Sequence, residues 1–177
     1  MRRNQTIAMA VLLGAALLLA AAAPGKPDFS GVWLVNPQRS QLAAWARYDS
    51  TTITIEHREP RFRFHRVSVK AGKADEASYE LTTDGVEKVE KEGGRTSRSR
   101  LSWDGDSLVF EDTMSLPDGR QAKDVVRYTL RDGGKTFVAE EEFRGPVVRY
   151  DNRWVAEREV VAPDGNLWVA DRQEDEK

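Results

Sequence analysis

The chain has 177 residues, a formal net charge of −2 and no cysteine. This length fits one domain with a substantial core, and the lack of cysteine excludes disulfides, a thiol nucleophile and any cysteine-based metal site. Because the chain is mildly acidic and its charges are interspersed, we expect neither nucleic acid nor anionic lipid as a partner.

Residues 1–22 have the pattern of a secretory signal peptide. Arg2 and Arg3 form a positive segment, and the run that follows, 7–19, is apolar. Alanines at 20–22 then supply the small residues of a cleavage site. The apolar run is short for a membrane span, so we expect cleavage after Ala22, no integral membrane anchor, and a periplasmic or secreted protein. Cleavage removes two arginines and no acid, which moves the net charge to −4.

Residues 23–170 predict a single all-β domain. Runs of alternating apolar and polar residues, each about ten residues long, are separated by turn signals. Asp-Gly dipeptides suit tight hairpin turns because glycine readily adopts positive φ and aspartate tolerates it. They occur at Asp84-Gly85, Asp104-Gly105, Asp118-Gly119, Asp132-Gly133 and Asp164-Gly165. This spacing leaves little room for helical crossovers and therefore favours antiparallel strands.

The first predicted strand is 31–35, and a short helix is predicted to follow it within 36–46. Asn36 suits the N-cap of that helix and Pro37 its first position. Further strands are predicted over 51–57, 61–69, 77–83, 94–103, 107–116, 121–130, 136–144, 148–160 and 166–170. Residues 171–177 form an acidic tail, which we expect to be flexible.

A sheet of eight to ten strands commonly closes on itself to remove its edges. In the strand at 61–69, Phe62 and Phe64 share a face, and placing Val67 and Val69 on that same face requires a β-bulge. The opposite face of the strand carries charge, which a lipid-facing barrel would not tolerate at mid-depth. We therefore expect an antiparallel up-and-down β-barrel that is soluble.

The stretch Asp28-Phe29-Ser30-Gly31-Val32-Trp33 resembles the opening of lipocalin-like proteins of the calycin type, in which Gly-x-Trp marks the first strand. Its continuation to Ser40 resembles small secreted bacterial members, as do the hairpins at 103–108 and 130–135. The resemblance spans most of residues 28–160. The chain departs from the lipocalin pattern in having no disulfide and no clear C-terminal helix.

This resemblance implies an eight-stranded up-and-down barrel with a cavity for an apolar ligand. It also implies that Trp33 packs at the closed end of the barrel, beneath an arginine from the last strand region. Arg158 and Arg153 are the candidates, since either guanidinium can stack on the indole face.

If the alternation holds, Asp112, Asp124, Glu141 and Arg158 point into the barrel. A buried carboxylate must be paired, hydrogen-bonded or protonated, so Arg158 with Glu141 or Asp112 is a natural interior pair. These groups are candidate anchors for a ligand head group beside an aromatic wall. The alternative is a barrel mouth where they reach water, or a purely structural ion pair. The candidate ligand-binding residues are Phe64, Tyr79, Trp103, Phe110, Asp112, Tyr128, Glu141 and Arg158.

The sequence contains no catalytic motif and predicts no metal site or cofactor. It has no G-x-S-x-G elbow, and His57 and His65 are expected on opposite faces of adjacent strands. The favoured hypothesis is a non-enzymatic exported protein that binds a small apolar or amphipathic ligand inside the barrel. The alternative is a structural or protein-interaction envelope module with a filled barrel and no ligand. An enzyme would require a cleft with clustered, perturbed titratable groups.

Overall fold

The structure is a computed structural model that describes residues 25–161 and 167–168. The signal peptide predicted over 1–22, the tail over 171–177 and the Asp164-Gly165 turn lie outside the described residues. Of the last predicted strand, 166–170, only residues 167–168 are described. Within the described ranges no helix is both long and apolar enough to cross a membrane.

Ten strands form one antiparallel sheet, and two short strands pair separately. The ten are β1 (Gly31–Val35), β2 (Ser50–Arg58), β3 (Arg61–Lys70), β4 (Lys73–Thr82), β5 (Lys88–Glu92), β6 (Arg95–Asp104), β7 (Ser107–Ser115), β8 (Gln121–Arg131), β9 (Thr136–Arg144) and β10 (Arg149–Arg158). The separate pair is β11 (Val160–Val161) with β12 (Leu167–Trp168).

The sheet curls into a nearly closed up-and-down barrel. Apart from β4 and β5, strands that follow one another along the chain are neighbours, and β1 also pairs with β10. The sheet order is β4-β3-β2-β1-β10-β9-β8-β7-β6-β5. Only β4 and β5 are left unpaired with each other, and we call this gap the seam. At one end of the seam a bridge joins Asp84 to Ser102. The prediction of an antiparallel barrel is confirmed, with ten strands where the resemblance implied eight.

The Asp-Gly signals mark different kinds of connection. Asp104-Gly105, Asp118-Gly119 and Asp132-Gly133 each lie in the link between two paired strands, as predicted. Asp84-Gly85 instead lies at the seam, where the chain leaves β4 without forming a hairpin. A turn signal therefore predicts where a strand ends, but not that the next strand pairs with it.

Both strands at the seam present charged, exposed residues. Every residue of β5, Lys-Val-Glu-Lys-Glu, is exposed, and so are residues 73–78 of β4. Charged side chains on a free sheet edge oppose pairing with another chain. Strand β5 was not predicted from the sequence, because a strand exposed on both faces lacks a clear alternation of apolar and polar residues.

The helix predicted after β1 is wrong. The β1–β2 connection contains only a 3-10 turn at Ala44–Ala46. The Asn36 side chain accepts hydrogen bonds from the backbone N–H groups of Gln38 and Arg39, which forms a local turn. Gln41 then exchanges two backbone hydrogen bonds with Arg153 on β10, at 2.8 and 2.7 Å. Backbone groups that are bonded to a strand cannot also complete a helical turn.

The bulge predicted in β3 is also wrong. Pairing with β2 runs without interruption from Ser50–Val69 to Arg58–Arg61. The side chains at 62, 64, 66 and 68 therefore share the inward face. Phe62 and Ser68 are fully buried, and Arg66 lies on the inward face where the sequence favoured a valine. Regular strand pairing outweighed the preference for an unbroken apolar stripe.

Trp33 lies at the end of the barrel closed by the N-terminal segment, which we call the Phe29 end. Its side chain is fully buried, and its indole N–H donates to the Phe29 carbonyl oxygen at 3.1 Å. The Arg158 guanidinium lies 4.3 Å from the indole centroid, as predicted. A Cβ on Gly31, whose φ is +146°, would lie 2.8 Å from Arg158 Nη1. Glycine in the Gly-x-Trp motif therefore leaves room for the arginine that covers the tryptophan.

Arg158→Ala is expected to lower the free energy of unfolding by about 2 kcal/mol, by removing a cation–π contact and hydrogen bonds to the Ser30 and Gly134 carbonyls. Arg158→Lys is expected to recover less than half of the loss, because an ammonium lacks the planar fork. Urea denaturation of the three proteins measures this. An unchanged unfolding midpoint for Arg158→Ala would show that the arginine is dispensable at this end.

Candidate functional site

A cavity of about 210 Å³ lies inside the barrel, between the Phe29 end and the opposite end, which carries Tyr150. It exists because the alternating inward positions of several strands bring apolar side chains to one place. Its apolar lining consists of Ile53, Phe64, Ala77, Tyr79, Phe110, Val126, Tyr128, Phe137, Ala139 and Trp154. Three charged residues, Arg66, Asp124 and Glu141, complete the lining. The cavity is therefore amphipathic.

Stacked aromatic rings form one wall of the cavity. Tyr79 stacks between Phe64 and Phe110, with ring centroids 5.0 and 4.9 Å away. Its hydroxyl donates to the Tyr128 hydroxyl at 3.0 Å. Burial raises the pKa of Tyr79 and of Tyr128 above the usual range for tyrosine, so both hydroxyls stay protonated. This wall is flat, mostly apolar and uncharged.

Glu141 lies at the polar side of the cavity with both carboxylate oxygens hydrogen-bonded. Oε1 accepts from the Tyr150 hydroxyl at 3.2 Å. Oε2 accepts from Asn152 Nδ2 and from Trp154 Nε1, each at 2.9 Å. Burial, and then the charge of Glu141, raises the pKa of Tyr150. Three donors hold the Glu141 carboxylate in place as a fixed negative charge.

Asp124 has neighbours of the same charge. It lies directly across from Asp112 in the β7–β8 ladder, and Glu141 is on the neighbouring strand β9. Burial, together with the charges of Glu141 and Asp112, raises the pKa of Asp124 to about 7. Its Oδ1 atom is buried and has no hydrogen-bond partner within the described protein. Asp124 therefore changes charge near neutral pH.

Arg66 is the cation of the cavity lining. Its Nη2 contacts Asp75 Oδ2 at 3.0 Å, and its guanidinium lies 5.7 Å from the Trp154 ring. Its Nε is buried and has no hydrogen-bond partner in the described residues. Arg66 was not among the predicted site residues, because the expected bulge in β3 would turn Val67 and Val69 inward in its place. Strict alternation from Phe62 would have found it.

The structure brings five of the eight candidate ligand-binding residues to the cavity: Phe64, Tyr79, Phe110, Tyr128 and Glu141. The other three lie elsewhere. Trp103 is at the Phe29 end, where its indole N–H donates to Glu59 at 2.9 Å. Asp112 is buried and accepts hydrogen bonds from Ser97 and Ser99 at 2.6 and 3.0 Å. A ligand-binding role for all eight stays a prediction.

The interior ion pair predicted for Arg158 is wrong. Arg158 lies over Trp33 and donates to backbone carbonyls at the Phe29 end, whereas Glu141 is bonded to Tyr150, Asn152 and Trp154 nearer the other end. Both residues point inward as predicted, but they occupy different levels of the barrel. Alternation along a strand predicts which face of the sheet a side chain lies on. It does not predict the position of that side chain along the barrel axis relative to residues of other strands.

His57 and Glu59 form a second polar group, at the Phe29 end. His57 Nδ1 accepts from the Phe29 backbone N–H at 3.3 Å, and Nε2 is 2.9 Å from Glu59 Oε1. Burial acts to raise the pKa of Glu59, but hydrogen bonds from Thr83, His57 and Trp103 together lower it. Among the described residues, no three His, Asp or Glu side chains are grouped to hold a metal ion. These contacts fix the N-terminal segment to the barrel.

A larger groove of about 630 Å³ lies beneath the β1–β2 connection. Polar residues of that connection, including Ser40, Gln41, Arg47 and Asp49, make up much of its lining. None of its lining residues in the described chain has a buried side-chain atom without a hydrogen-bond partner. The barrel cavity, which has two such atoms, is therefore the stronger candidate site.

Comparisons with known proteins found solved structures of similar shape at low sequence identity. Secretory abundant heat soluble protein 4 from Ramazzottius varieornatus is 16% identical with a TM-score of 0.47, covering 78% of this chain and 99% of its own. Human cRBP IV is 16% identical with a TM-score of 0.48, covering 75% and 98%. A zebrafish ileal bile acid-binding protein complexed with cholic acid is 14% identical with a TM-score of 0.47, covering 73% and 98%.

No family model and no curated protein sequence matches the chain. Every one of these TM-scores is below 0.5, so the similarity carries no conclusion about function.

Proposed function

We propose that this chain is a binding protein that holds a small amphipathic molecule inside the barrel. The observation that carries the proposal is the cavity of about 210 Å³, which has an aromatic wall on one side and charged residues on the other. Binding sites for small molecules commonly combine a mostly apolar lining with a few placed polar groups. An apolar cavity of about 150 Å³ in another protein holds benzene, so this cavity suits a small molecule rather than a long acyl chain.

The alternative of an interaction module with a filled barrel has less support. The Phe29 end is filled, since Phe29, Trp33, Phe62 and Phe137 are fully buried there. The remainder of the barrel interior contains the cavity. A barrel whose role was only structural would gain stability by filling that space with larger side chains.

We also propose that the protein acts without catalysis and outside the cytoplasm. In the cavity, Glu141 is held by three hydrogen-bond donors, and the lining residues within the described part of the chain include no serine or histidine. A carboxylate bound in this way serves as a fixed charge rather than a mobile base. Export is supported by the sequence of residues 1–22, with its positive start, apolar run and terminal alanines.

The test is an NMR titration of the mature protein with three molecules that share a six-carbon chain: 1-hexanol, hexanoate and hexylammonium. Burial of the chain contributes about 5 kcal/mol at roughly 0.8 kcal/mol per CH₂. Association consumes part of this, so we expect at least one compound to bind with a dissociation constant of about 1 mM. Its amide shifts should centre on the strands that line the cavity. If none of the three gives saturable shifts, the proposed function is wrong.

A matched pair of variants locates the binding. Ala77 and Ala74 are both exposed residues of β4. Ala77 lines the cavity, whereas Ala74 points to the opposite side of the strand. Ala77→Phe places a ring in or across the cavity and is expected to weaken binding about ten-fold or more. Ala74→Phe should leave the affinity unchanged. Equal effects from the two substitutions would place the ligand elsewhere.

A further inference from the structure

Two buried side-chain atoms in the described residues have no hydrogen-bond partner in the protein, and both belong to the cavity. They are Arg66 Nε, a donor, and Asp124 Oδ1, an acceptor. Buried polar groups in folded proteins are nearly always paired, so each exception needs an explanation. One unpaired donor and one unpaired acceptor in the same cavity indicate a partner that binds both.

We propose that the cavity selects a molecule whose uncharged head group accepts a hydrogen bond from Arg66 Nε and donates one to Asp124 Oδ1, as a primary alcohol or primary amide does. This inference rests on the proposed function, since it requires that a ligand occupies the cavity. A hydroxyl group carries one donor and two acceptor lone pairs on a single oxygen. A hydroxyl or primary amide head group therefore carries both properties that the two protein groups require.

The charges around Asp124 disfavour a carboxylate ligand. Asp124 has Asp112 on β7 and Glu141 on β9 as acidic neighbours, and the hydroxyls of Tyr79, Tyr128 and Tyr150 lie nearby. Arg66 on β3 lines the same cavity. An ionised carboxylate has no proton to donate to Asp124. It would also be repelled by the acidic neighbours, which outnumber the single arginine.

An ammonium head group fails for the opposite reason. It carries three donors and no acceptor, so it would satisfy Asp124 and leave Arg66 Nε without a partner. The positive charge of Arg66, which lines the same cavity, would also repel it. The donor and the acceptor together are matched by a neutral group that has both properties.

The same three hexyl compounds test this inference, at pH 8, where Asp124 is mostly ionised. We expect 1-hexanol to bind about ten-fold more tightly than hexanoate or hexylammonium, which is the scale of one hydrogen bond to a charged group. If either ion binds more tightly, the inference is overturned while the proposed function stands. Equal affinities for all three would mean that water alone satisfies Arg66 and Asp124, which also overturns it. Failure of all three to bind overturns the proposed function itself.

A pair of isosteric substitutions separates hydrogen bonding from net charge. Asp124→Asn adds an N–H donor to the cavity that Arg66 also lines, so we expect hexanoate to bind about ten-fold more tightly than it binds the wild type. Asp112→Asn removes the same formal charge, but Asp112 Oδ1 is already bonded to Ser97 and Ser99. Its effect on hexanoate should be several times smaller. Equal effects would show that only the number of negative charges matters.

Acidification provides the same test without a mutation. Because the pKa of Asp124 is about 7, lowering the pH from 8 to 6 protonates this carboxyl group, while hexanoate stays ionised. The neutral Asp124 then donates a hydrogen bond instead of accepting one. Hexanoate affinity should rise and hexylammonium affinity should fall. Affinities that do not change with pH would contradict the assignment of Asp124 to the head-group site.

Discussion

Trp33→Ala is expected to lower the free energy of unfolding by about 4 kcal/mol, the largest single-residue effect we predict. Trp33 is fully buried, its indole N–H donates to Phe29, and its ring lies 5.6 Å from that of Phe137. Alanine leaves a void that the close-packed side chains around it cannot fill. It also removes the surface on which Arg158 lies, at 4.3 Å. Urea denaturation monitored by circular dichroism measures the change.

Trp45→Ala is the matched control, because the same substitution occurs at a tryptophan that is 49% exposed. Trp45 packs edge-on against Tyr150, with centroids 4.8 Å apart, and its loss should cost about 1 kcal/mol. Trp33→Phe keeps an aromatic ring in place and is expected to cost less than Trp33→Ala. A loss of 1 kcal/mol or less for Trp33→Ala would mean that the Phe29 end does not depend on this residue.

Asp124→Asn is expected to make the protein more stable at pH 8 by about 2 kcal/mol, and to have little effect at pH 4. The pKa of Asp124 is 3.8 as an ordinary aspartate and about 7 in the folded protein, because burial and the charges of Glu141 and Asp112 oppose ionisation. Between these pH values the folded state binds more protons than the unfolded state. The free energy of unfolding therefore falls as the pH rises from about 4 to about 7. Asparagine does not ionise and avoids this loss.

The expected stabilisation by Asp124→Asn is smaller than the free energy that corresponds to the full pKa shift of Asp124. Three pH units correspond to about 4 kcal/mol, but Asp124 is only partly buried and solvent screens part of the effect. Denaturation of the wild type and the variant at pH 4, 6 and 8 measures the difference between them as a function of pH. Asp106→Asn, the same substitution at an exposed turn residue, is the matched control. A difference that is constant from pH 4 to pH 8 would contradict the burial of the Asp124 charge.

Most of the barrel follows from local sequence patterns. Apolar alternation and the Asp-Gly turns at 104–105 and 132–133 predict strands β6 to β9, whose bounds match the structure to within a residue or so. The failures occur where distant contacts decide the local conformation. The 36–46 segment carries helix-favouring residues, but the pairing of Gln41 with Arg153 holds its backbone extended. Every residue of strand β5 is exposed, so its sequence lacks the alternation of apolar and polar residues that would predict a strand.

The candidate site was predictable on its apolar side and less so on its polar side. Phe64, Tyr79, Phe110 and Tyr128 follow from alternation, because aromatic residues at inward positions of a small barrel must meet. Arg66 was missed because a charged residue on the inward face contradicts the expectation of an apolar stripe. Asp124 was correctly placed inward, but its unpaired oxygen depends on where the strands sit relative to one another. Arg66 and Asp124 both conflict with local sequence rules, and such conflicts are expected at functional or strained sites.

At the seam, no ladder of backbone hydrogen bonds joins β4 to β5. A fully closed barrel can widen only by breaking such a ladder, whereas this one can part along the seam while its nine paired interfaces stay intact. Ala77, which lines the cavity, is exposed and belongs to a strand that borders the seam. The residence time of a molecule inside the barrel is therefore expected to depend on how often β4 and β5 separate transiently, without any unfolding of the domain.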